Sequence, residues 1–168
     1  MTQKFEYTQD PWSLKDLFDG YDDPKYASSF DEIKQGVEAF QAYREQLKPE
    51  ISEDLFKDII TTYEQFYRKM SRLNGFVQLA FAADTQDQKA QAEVARVDQF
   101  QAEIGNQSIF FSLWWKALDD ENAKRLLAAS CDFSYWLVAM RNFKDYTLSE
   151  PEEKIINIKD VTGVTALN

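Results

Sequence analysis

The chain of 168 residues contains no histidine. That removes the commonest general base and the commonest metal ligand, so no triad or zinc site built on imidazole can come from these residues. Cysteine occurs once, which rules out a disulfide framework and suits a reducing compartment such as the cytoplasm. That residue, Cys131, sits between Ser130 and Asp132 with no basic neighbour to lower its pKa, so it lacks the surroundings of a nucleophile. Five Gly and four Pro are too few for a turn-rich all-β architecture. No apolar run approaches the ~18 residues of a membrane span, and residues 1–6 do not read as a signal peptide. Positive charge is in deficit: 19 Lys and Arg face 29 Asp and Glu. The resulting net charge of −10 repels phosphate backbones and anionic lipid, so neither nucleic acid nor a membrane is an expected partner.

What is present is apolar and helical. Hydrophobic residues make up 44% of the chain and aromatics 15%, more than a disordered segment carries. A chain of this length buries about 70% of its unfolded surface. Asp10 and Pro11 read as the start of a short helix through Phe18, and Gly20 with Asp22-Asp23-Pro24 as a loop. Phe30, Ile33, Val37, Phe40 and Leu47 predict a helix over 28–47, broken at Pro49. Ser52 caps the next, whose stripe runs Leu55, Ile59, Tyr63, Phe66, Met70 and Leu73 towards Phe81. Gly75 inside it suggests close packing or a slight bend. Residues 84–87 make a turn. A further long helix carries Ala90, Val94, Val97, Phe100 and Ile104 on to Trp114, Trp115 and Leu118. Asp119 or Asp120 starts another, with Ala123, Leu126 and Leu127, and Phe133, Trp136, Leu137 and Met140 mark one more stripe. Nothing alternates with period two. The fold class expected is all-α, a helical bundle or array with a long antiparallel helix hairpin.

The tail, residues 143–163, is the most specific stretch. Ser149 is placed to cap a helix, Pro151 sits where no amide partner is needed, and Glu152 completes a capping box. Glu150 and Glu153 favour the positive end of the helix dipole. The string T-L-S-E-P-E-E-K-I-I-N, preceded by Arg141, Phe143 and Lys144, resembles the segment entering the catalytic domain of the oligoendopeptidase F family of zinc metallopeptidases. That family usually has Pro-His where this chain has Asp145-Tyr146. Three further places are similar to it: Trp12-Ser13-Leu14 with Asp16-Leu17-Phe18, residues 79–85 with Asp87 and Ala90, and Phe110-Phe111 with Leu113 and 118–121.

The resemblance implies an N-terminal helical domain over residues 1–147 and the truncated start of a catalytic domain over 148–168. In that family the parent enzyme hydrolyses short peptides with zinc held by a His-Glu-x-x-His helix and a third, carboxylate ligand. The N-terminal helices pack on the catalytic domain and wall or gate a closed chamber. This chain has none of those ligands, so no catalytic, cofactor-binding or metal residue is assigned in it, and zinc belongs to the absent catalytic domain. The partners so implied are the catalytic domain of the same polypeptide and short peptide substrates. The other reading, from a different class, is a free-standing helical protein-interaction module without enzymatic activity.

Two apolar groups are candidates for a docking or substrate-wall surface. One is the run Phe110, Phe111, Trp114 and Trp115, although a helix face of aromatics is ordinarily core. The other is Ile155, Ile156 and Val161 of the tail, which with Ile158 form an apolar run lacking a following helix to pack on. An apolar face left open in this way predicts a homodimer, opposed by the net charge. The acidic trio 119–121 lacks the ligand spacing of a calcium loop and reads as a helix cap.

Overall fold

The computed structural model describes residues 13–163, with the side chains of Val161 and Thr162 outside that description. Asp10, Pro11 and Trp12 therefore lie outside the described residues, and Leu14 to Phe18 form a single turn rather than a helix. Six α-helices and no strand occur among the described residues, so the all-α expectation holds.

The first helix, α1 (Pro24–Gln41), begins four residues earlier than its apolar stripe implied. The side chain of Asp23 accepts from the Lys25 N–H at 2.8 Å, and Pro24 occupies the first turn. The Asp-Pro pair read as loop is thus the start signal. This helix stops at Gln41, before the half-buried Leu47. In α2 (Glu53–Ala83), Ser52 accepts from the Leu55 N–H at 3.2 Å, and Glu53 and Asp54 load the first turn with negative charge. After a four-residue turn, Asp87 caps α3 (Gln88–Ala117) by accepting from Lys89 and Ala90. Asp119 then caps α4 (Asp120–Ala129), which is followed by α5 (Ser134–Arg141) and α6 (Glu150–Thr162).

The antiparallel hairpin of α2 and α3 is the frame, and α1 lies in the groove between them. Phe40 meets Tyr63 of α2 at 5.3 Å and Phe110 of α3 at 5.1 Å, while Phe30 meets Phe100 at 5.0 Å. The core of α2 is Phe56, Ile59, Ile60, Phe66, Met70, Leu73, Phe76 and Val77, so Phe56 and Ile60 are buried instead of the half-exposed Leu55. Gly36 is the close contact of the fold: a Cβ there would lie 2.7 Å from the Cβ of Phe66. Gly75, by contrast, has open space where its Cβ would be, which removes the close-packing reading for it.

Between α4 and α5 the chain reverses through Cys131, whose φ of 47° is left-handed without being glycine. The reversal brings Leu137 over Trp115, whose indole N–H donates to the Leu137 carbonyl at 2.9 Å. Arg141 completes the corner. Its guanidinium donates to the carbonyls of Trp115 and Leu118 at 2.8 and 2.9 Å and to Asp120 at 2.6 Å. One side chain thereby satisfies two open carbonyls at the end of α3 and ties α5 to it.

Candidate docking surface

The last helix is built as its sequence dictates. The Glu152 carboxylate accepts from the Ser149 N–H at 2.9 Å and from its hydroxyl at 2.6 Å, and Glu153 accepts from the Leu148 N–H at 3.0 Å. These carboxylates supply acceptors for the open donors of the helix start, and the two bonds from Ser149 hold the Glu152 carboxyl below its usual range.

How α6 sits is unusual. It runs back along α3, seated by polar groups. Glu150 accepts from Arg44 at 2.6 Å and from Lys154 at 2.7 Å, and Asn157 donates to Asn106 of α3 at 2.9 Å. The hydrogen bond from Lys154, with a smaller contribution from Arg44, lowers the Glu150 carboxyl pKa against the opposing effect of partial burial. Glu150, Glu153, Lys154 and Asn157 are partly buried, one helical face at spacings of three and four. Two of the apolar residues point elsewhere, Ile155 at 59% exposed and Ile156 at 41%, while Ile158, 57% exposed, borders the seat. An amphipathic helix ordinarily turns these residues inward. The seat is also loosely filled. A cavity of about 780 Å³ lies on one side of α6, lined by Arg44, Gln99, Glu103, Lys154 and Ile158. Another of about 360 Å³ lies where Asn157 and Asp160 face Asp98, whose carboxyl pKa is raised by burial. The tail therefore has a partner in its own chain, contrary to the sequence expectation, but through the wrong face.

The two candidate groups come apart in the structure. Phe110, Phe111 and Trp115 are buried in the core, so they form neither a docking surface nor a substrate wall. Trp114 is half-buried against Phe56 and Phe111, and its indole N–H has no acceptor among the described residues. Ile155 and Ile156 are open surface, and the side chain of Val161 lies outside the described residues. Sequence reading missed a second exposed group: Tyr135, Val138, Phe143, Tyr146 and Leu148. The signal was present, because Tyr135 and Val138 fall off the Phe133, Trp136, Leu137, Met140 stripe and so belong to the opposite face of α5.

Among the described residues no three or more Cys, Asp or Glu side chains gather as a metal-ligand set, and the chain has no His. These residues do not fit a zinc ion.

The fold and surface define a class first: an all-α helical array with an open apolar surface on its last two helices. Residues 114–168 match the family model for the oligopeptidase F N-terminal domain, so over that stretch the chain is similar to this peptidase-associated family. The match runs from the end of α3 through α6, while the similar segments at 12–18 and 79–90 lie outside it. Comparison with curated proteins and with solved structures gives no match.

Proposed function

We propose that this chain is the helical N-terminal portion of an oligopeptidase F-like zinc peptidase of the cytoplasm, and that it walls or gates the chamber in which short peptides are hydrolysed. In this reading the exposed groups of α5 and α6 seat the peptide-hydrolysing part of the same polypeptide. That part supplies zinc, ligands and general base, and this portion holds no catalytic residue. The observation that carries it is the inverted seating of α6, with Ile155 and Ile156 outward on a helix held to its own bundle by Glu150 and Asn157. Burying two such isoleucines on a partner contributes on the order of 2–4 kcal/mol, enough to decide where α6 packs.

The test is the coding sequence past Asn168. A downstream His-Glu-x-x-His helix with a later carboxylate ligand is the expected result. A stop codon at that point sinks the peptidase reading and leaves the free-standing interaction module. A biochemical arm is independent of the gene: the purified chain with added zinc is expected to leave fluorogenic oligopeptides intact. Chelator-sensitive cleavage by a homogeneous sample contradicts the assignment of catalysis to another part.

A further inference from the structure

A pocket of about 270 Å³ opens between α2 and the start of α5, and its Tyr67 also borders the smaller cavity beside α6. Its walls are Ile60, Tyr63, Glu64 and Tyr67 of α2, with Phe133 and Trp136 opposite. Four of these six side chains are aromatic, and one is a carboxylate. We propose that this pocket binds a compact alkylammonium group, such as the trimethylammonium head of a choline-like molecule or of a methylated lysine.

The ring arrangement supports a cation. Tyr63 lies 5.1 Å from Trp136 at an interplanar angle of 32°, and 5.0 Å from Tyr67 at 16°. Trp136 also stacks in parallel on the buried Phe111, at 6.1 Å and 11°, and Phe111 lies 5.8 Å from Tyr63. The aromatic wall is therefore fixed before any ligand arrives, and it offers a cation the parts of its rings that this stacking leaves uncovered. Its far wall is anchored by the bond from the Trp115 indole to the Leu137 carbonyl and by Arg141 at the end of α5. Glu64 is the single charged residue of the lining. Its bond to Arg68, at 2.8 Å between exposed side chains, is screened by water, so the carboxylate still attracts a second cation.

The chemical class follows from the same walls. An apolar solute would fill the volume but gain nothing from the ring faces or from Glu64. A bare ammonium is strongly hydrated and loses that water in a mainly aromatic site. An alkylated ammonium keeps its charge while presenting methyl groups to the rings, which is how aromatic cages select it. The net charge of −10 raises the local concentration of any such cation.

The test is a titration of the intact chain with choline, with tetramethylammonium, and with 3,3-dimethyl-1-butanol, the uncharged shape analogue of choline. Ionic strength is held constant, and indole NMR signals and heat are followed. Choline and tetramethylammonium are expected to saturate, with the neutral analogue at least tenfold weaker. The variants Glu64→Gln, at a half-buried position, and Tyr67→Leu, at an exposed one, are expected to weaken binding by roughly 3- to 10-fold with the circular dichroism unchanged. A peptide bearing trimethyl-lysine, compared with its unmodified form, separates the two sources of the head group. Tighter binding of the peptide assigns a polypeptide ligand, and tighter binding of choline assigns a free small molecule. Equal binding of the neutral analogue, absence of saturation, or indifference to both variants overturns the proposal.

Discussion

Three glycines in this chain sit in helix interiors, and their surroundings assign opposite effects to one substitution. At Gly36 a methyl group would meet the Phe66 Cβ at 2.7 Å, where α1 packs on α2. Gly36→Ala is expected to lower stability by about 1–3 kcal/mol, because overpacking outweighs the gain in helix propensity. At Gly75 and Gly105 nothing lies within 4 Å of the added Cβ, so Ala there is expected to raise stability by about 0.5–1 kcal/mol each. Thermal melts of the three variants check the sign at every position. Arg141 is the other decisive residue. Its loss leaves the carbonyls of Trp115 and Leu118 without their donor, and Arg141→Ala is expected to cost about 2–4 kcal/mol. Lys has no planar fork to reach both carbonyls and Asp120, so Arg141→Lys is expected to recover only a fraction in denaturant titration.

Among the elements, α6 is the one whose docking depends on pH. The folded Glu150 carboxyl is held below its ordinary value of 4.5 by Lys154 and Arg44. A depressed carboxylate adds stability above its unfolded pKa, and that stability is lost as pH falls through the folded value. Native-state hydrogen exchange is therefore expected to show α6 amides well protected near neutrality and selectively exposed as pH drops below about 4.5, before α2 and α3 open. Glu150→Gln is expected to remove most of that dependence. Exchange of α6 that follows the global unfolding at every pH would contradict the loose seat. The start of this helix was legible in its sequence, because capping by Ser149 and Glu152 involves residues at most three apart. Its orientation was not. Nothing within residues 150–162 says that Arg44, more than a hundred positions earlier, holds Glu150.

At the scale of the whole molecule, an open apolar surface and a net charge of −10 act against each other. Self-association is expected to be weak at low ionic strength and to strengthen as salt screens the repulsion, since the Debye length falls from about 30 Å at 0.01 M to about 10 Å at 0.1 M. Sedimentation across protein and salt concentration measures it. The double variant Ile155→Lys with Ile156→Glu is expected to abolish it while leaving the melting temperature within a few degrees, since neither side chain is buried. A strict monomer at high protein and high salt removes the case for a sticky face. Among the described residues no helix is long and apolar enough to cross a membrane.

The sequence by itself determined the helices, most of their caps and the long hairpin. Those depend on neighbours three or four positions apart, such as Ser52 with Leu55, Asp87 with Ala90 and Asp119 with Asn122. It also carried the family likeness, matched over residues 114–168. Tertiary structure alone decided which apolar residues are core. Helix α3 bears Phe110, Phe111, Trp114 and Trp115 on two adjacent faces, and periodicity cannot rank faces that are both apolar. Burial was settled by what lies against them, with Phe40 of α1 on Phe110, Phe56 of α2 on Trp115 and Leu137 of α5 on the Trp115 indole. The same holds for the outward isoleucines of α6 and for the approach at Gly36. A face becomes inside or outside only when another element covers it, and that cover comes from residues far away along the chain.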